Sequence, residues 1–169
     1  MDESALHDKC PACGVGRQAF EPYQSKISTK REFVLSLDIH PVVVHFPQAF
    51  IYTIPVVMVF GHLVPAWRET LFSAARVLVL GLPLVVLFGI LTGLIDGVIR
   101  FKKATTPVLS RKLILGSLFL ASSCFLALIV LSAGFTKPLL VTGLLLIAMS
   151  CAAILGLIGS RLTSSRLPG

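Results

Sequence analysis

Val77-Leu78-Val79-Leu80-Gly81-Leu82-Pro83-Leu84-Val85-Val86-Leu87-Phe88-Gly89-Ile90-Leu91-Thr92-Gly93-Leu94-Ile95 runs without a single Lys, Arg, Asp or Glu. About 20 such residues in a helix cross the ~30 Å hydrocarbon core of a bilayer. Outward from this stretch, three more charge-free runs cover residues 39–66, 113–136 and 138–160. The pattern predicts four transmembrane helices, over about 42–64, 73–99, 112–133 and 138–160.

The composition agrees. Of 169 residues, 55% are hydrophobic and 14% charged, against about 25% charged in globular chains, and the mean hydropathy is +0.89. The net charge of +7 would fit a nucleic-acid binder if it lay on one surface, but it alternates along the chain. Lys9, Arg17, Lys26, Lys30 and Arg31 precede the first span. Arg100, Lys102, Lys103, Arg111 and Lys112 lie between the second and third, and Arg161 and Arg166 follow the fourth. The remaining two links hold only Arg68, Arg76 and Lys137. This is the positive-inside distribution for a multi-pass protein with both termini cytoplasmic; on the assumption of a bacterial source, the expected location is the inner membrane. The charge is accounted for by topology, with the lipid bilayer as partner and no nucleic acid.

The expected fold class is therefore an all-α membrane protein of four helices with a small N-terminal head. Residues 1–24 form the polar head. Residues 25–38 form a linker whose Phe33, Val34, Leu35 and Leu37 suit the membrane interface. Residues 39–162 form the bundle and 163–169 a polar tail. No apolar signal-peptide core precedes residue 38. Pro55 removes a backbone donor in mid-span and should kink the first helix; Trp67 suits the opposite interface. In the second span, Gly89, Gly93 and Gly97 form a GxxxGxxxG ladder, a face that lets helices pack closely. Ala152, Gly156 and Ser160 repeat the spacing more weakly. Cys124 and Cys151, inside spans three and four, read as small buried hydrophobes.

The head holds Cys10-Pro11-Ala12-Cys13-Gly14. Two thiolates two residues apart can grip one metal, and the following glycine permits a tight turn that aims amides at the sulfurs. In a reducing compartment such a pair reads as a metal or redox site before a structural disulfide. Lys9-Cys10-Pro11-Ala12-Cys13-Gly14-Val15-Gly16-Arg17-Gln18-Ala19-Phe20-Glu21-Pro22 resembles the second cysteine knuckle of rubredoxin, C-P-x-C-G-x-x-K/R-x-x-F-E. The resemblance implies a rubredoxin-like metal-binding head that carries single electrons on iron, with Cys10 and Cys13 as two of four ligands and a membrane redox partner. The first knuckle is absent from this sequence. Its ligands are expected from residues encoded upstream of Met1, from a homodimer sharing the site, or, for a three-ligand site, from His7. Zinc in place of iron and a metal-free remnant are the alternatives.

All four histidines fall within the first 62 residues. His40 and His45 occupy Ile39-His40-Pro41-Val42-Val43-Val44-His45-Phe46-Pro47 at the mouth of the first span, and Asp96 lies near the same end of the antiparallel second span. Ionisable residues inside spans are costly and mark functional positions. The expectation is a contact of His45 with Asp96, serving to lock two helices or to relay protons. H-P-x-x-V-H-F-P followed by Thr92-Gly93-x-x-Asp96-Gly97 resembles an uncharacterised family of four-helix bacterial membrane proteins. Some of its members resemble b-type cytochromes, which implies haem b on His40 or His45. The third span, however, opens on Ser110-Arg111-Lys112 where that family carries a histidine. No catalytic triad, phosphate loop or carboxylate dyad is present, so the reading is an electron carrier or accessory protein rather than an enzyme.

Overall fold

In the computed structural model the chain divides into two compact units, Met1–Phe33 and Val34–Gly169. The structure describes residues 15–16, 33, 36–37, 39–101 and 107–163. Cys10 and Cys13, and with them most of the expected metal head, linker and tail, lie outside the described residues.

The second unit is helical. α1 (Ile39–Val43) and α2 (His45–Leu63) together form the first span. A 3-10 turn, Pro65–Trp67, leads into α3 (Arg68–Phe101), followed by α4 (Pro107–Ala133) and α5 (Pro138–Thr163). Four helices are long and apolar enough to cross a membrane, which makes the chain a multi-pass membrane protein. α3 begins five residues before the expected start at Ser73, taking in Arg68 and Glu69. A helix longer than the hydrocarbon core can carry charged ends into the interface, so charge marks the edge of the lipid and not of the helix.

Pro55 and Pro83 lie inside α2 and α3, which continue through them. A break in the helix assignment comes at Val44, between α1 and α2. Pro47 falls in the first turn of α2, where its missing N–H leaves only the carbonyl of Val43 without a ladder donor. Val44 keeps helical dihedrals, φ −66° and ψ −17°. Its N–H still donates to the His40 carbonyl at 3.1 Å, so the chain keeps its direction across the junction.

α2 packs along α3, α3 along α4, α4 along α5, and α5 closes more thinly on α2. The core these helices enclose centres on Ile51, Ile54, Val79, Leu82, Leu126, Val130, Val141 and Ala148. α4 ends where Gly134 adopts φ +60°, the left-handed conformation that costs glycine nothing, with its N–H on the Val130 carbonyl. Of the two spanning cysteines, Cys151 is buried as expected, but Cys124 is exposed. A side chain on the lipid face of a span needs only to be apolar, and a thiol satisfies that.

At the His62 end the two short links meet. Phe72 lies against Gly61, where an added Cβ would stand 2.9 Å from its ring. His62 packs edge-on to Phe72 at 5.1 Å, Phe135 at 5.4 Å, and the Arg68 guanidinium sits 5.9 Å from its centroid. Phe135 belongs to the α4–α5 link, so one ring joins both hairpins.

Candidate functional site

The two histidines His40 and His45 lie at the opposite end, in and beside α1. His40, in the last turn of α1, is half-buried against α3. Its Nδ1 lies 3.3 Å from Thr92 Oγ1. Thr92 gives its own proton to the carbonyl of Phe88 at 2.9 Å, with the carbonyl of Gly89 at 3.2 Å. A hydroxyl has one proton, so Thr92 accepts from His40, and the imidazole carries its hydrogen on Nδ1.

The ring rests on Gly93. A Cβ there would stand 2.8 Å from His40 Cε1 and 3.2 and 3.3 Å from the two ring nitrogens. A side chain at this position would oblige the imidazole to shift. The rest of the ladder is used in the same way. Gly97 receives Leu109 of α4, whose Cδ1 would lie 2.9 Å from an added Cβ, and Gly89 faces Pro47 at an ordinary 3.9 Å. Positions four apart drift about 40° around a helix. The ladder therefore turns from α2 past α1 to α4, and it seats side chains from three helices instead of one helix backbone.

His45 turns back on its own segment. It is exposed, and its Nδ1 donates to the Pro41 carbonyl at 2.6 Å. Carbonyls in the last turn of a helix lack partners in the ladder, and a nearby histidine can supply one. The link from the first span to α3 thus runs from His40 to Thr92, not from His45. Asp96 is half-buried one turn beyond Thr92 on α3. Among the described residues no three His, Cys, Asp or Glu side chains converge to hold a metal. Bis-His ligation of haem b calls for two imidazoles facing each other. His40 faces α3, His45 its own backbone and His62 the distant Phe72, so no such pair forms among the described residues.

Sequence reasoning passed over Gln48 and Tyr52. The Tyr52 hydroxyl donates to the Met149 carbonyl of α5 at 3.4 Å, and Gln48 Nε2 rests 3.0 Å from where a Cβ on Gly156 would stand. The available signal was their i, i+4 spacing inside a charge-free run.

No protein-family model, curated protein or solved structure matches this chain.

Proposed function

We propose that the protein is a membrane-anchored electron carrier, its head holding iron on Cys10 and Cys13 beside a redox partner in the same membrane. The observation that carries this reading is the run from Cys10 to Glu21, in which the Cys-Pro-x-Cys-Gly core, Arg17, Phe20 and Glu21 keep a rubredoxin-type register ahead of four spans. Two thiolates fill half of a tetrahedral site, so two further ligands complete it. The four helices serve as the anchor, and Cys10 and Cys13 on the cytoplasmic side place the centre in a reducing compartment where thiolates persist.

Purified protein tests this directly. The expected result is bound iron with visible thiolate charge-transfer bands that bleach on reduction and return on oxidation, lost in Cys10→Ser. One iron per chain assigns all four ligands to a single chain, and one per two chains assigns a shared site. Protein that is colourless and carries only zinc or no metal overturns the carrier.

A second reading, a non-redox membrane protein with a zinc-bound or metal-free head, draws on one observation. His40 on Gly93 and Thr92 is occupied in holding α1 to α3, as a structural residue would be.

A further inference from the structure

α2 carries three hydrogen-bonding side chains, His45, Gln48 and Tyr52, at i, i+3 and i+7. Helical spacing sets them along one side over about 10 Å. Two of them reach α5, Gln48 at Gly156 and Tyr52 at Met149. The seam between α2 and α5 is the thinnest in the bundle, and Tyr52 is 39% exposed on it. The row therefore opens to the bilayer from within the span, where polar side chains are costly unless they serve a partner.

The three groups differ in what they still offer. His45 Nδ1 faces a carbonyl, which can only accept, so the proton is on Nδ1 and Nε2 of the neutral ring is an acceptor. Tyr52 spends its proton on Met149 across 3.4 Å, long for an O–H donor, and leaves its phenolic oxygen as an acceptor. The Gln48 amide offers both functions. The row is rich in acceptors and flanked by exposed Val56 and Val59. Its complement is an apolar molecule that brings hydroxyl donors.

We propose that the α2–α5 seam binds a membrane-dissolved aromatic diol of the quinol class. One hydroxyl donates to His45 Nε2 and the other to Gln48 or the Tyr52 oxygen, with the ring along the seam and the apolar tail in the lipid. His45 and Gln48, neighbours on one helix face, stand about 5–6 Å apart at Cβ, a separation suited to hydroxyls on opposite sides of one ring, whereas Tyr52 lies about 10 Å from His45 along the axis. A phospholipid headgroup stays at the interface, whereas Gln48 and Tyr52 lie about one and two turns inside α2. The inference is independent of iron at the head, because binding involves no electron transfer.

The test uses the full chain in phosphatidylcholine nanodiscs under anaerobic conditions, with decyl-1,4-benzohydroquinone as probe and empty discs as reference. Saturable uptake at one probe per chain above the empty-disc level is expected. Tyr52→Phe removes one oxygen and should weaken binding roughly two- to tenfold, the worth of one hydrogen bond, in a chain that still folds with four spans. Gln48→Leu should do the same; if it does not fold, Tyr52→Phe decides. The oxidised decyl-1,4-benzoquinone brings no donors and should bind more weakly than the diol. Linear uptake equal to empty discs overturns the proposal. So does equal binding of diol and quinone with Tyr52→Phe unchanged, or displacement of the probe by added phosphatidylglycerol, which would make the seam a headgroup site.

Discussion

A methyl group on Gly93 would meet the His40 ring at 2.8 Å, whereas one on Gly89 would meet Pro47 at 3.9 Å. Both substitutions gain about 1 kcal/mol of helix propensity, so the contrast isolates the contact. Gly93→Ala obliges the imidazole to shift and strains its bond to Thr92. Forcing an extra methyl into a packed site costs about 1–3 kcal/mol, so the net effect should be destabilising by up to ~2 kcal/mol. Gly89→Ala should be neutral or stabilising. Thermal denaturation in one detergent ranks the two, and an imidazole resonance of His40 that moves only in Gly93→Ala ties the loss to the seat. The sequence singled out these glycines, His40 and His45, but not their pairing. A small-residue ladder specifies close approach and not which group approaches, and His45 was the histidine nearer the helix interior by count. The polar pair Gln48 and Tyr52 was illegible for a related reason. Without charge or a motif, two uncharged side chains in an apolar run look like tolerated exceptions until α5 is placed beside them.

The interruption at Val44 belongs to the helical element, since it depends on a residue in the next turn. Pro47 withholds its N–H from Val43, and the His45 ring supplies Pro41 from the side. Pro47→Ala restores the missing donor. The expected outcome is one continuous helix from α1 through α2, with the new amide at position 47 strongly protected from hydrogen exchange. Tightening the ladder should also shift α1 relative to α3 and loosen the His40–Thr92 bond, read as a changed imidazole environment. An unprotected amide at position 47 would mean that packing of α1 on α3, not the proline, holds the segment apart. Span existence was legible because absence of charge over a bilayer's length has few other readings. Span ends were less so: Arg68 and Glu69 are helical, and the interruption is displaced from the proline that causes it.

At the scale of the molecule, four spans return the chain to the side on which it began, whatever that side is. Twelve of the fifteen Lys and Arg fall before the first span, at or between the facing ends of α3 and α4, or after the fourth span, and three fall near the other two links. Basic residues near span ends resist translocation, so the side holding the twelve is expected to be cytoplasmic and the Phe72 cluster to face outward. That orientation also places Cys10 and Cys13 in the cytoplasm, on which the iron-carrier reading depends. Single cysteines introduced into a cysteine-free chain test it in intact cells with a membrane-impermeant maleimide. Ala66→Cys in the 3-10 turn and Thr136→Cys in the α4–α5 link should be labelled from outside, and Thr105→Cys only after the membrane is opened. The reverse pattern would put the cysteine head in an oxidising space, where a disulfide would compete with the metal. The carrier reading would then fail for a reason separate from whether the knuckle can bind iron at all.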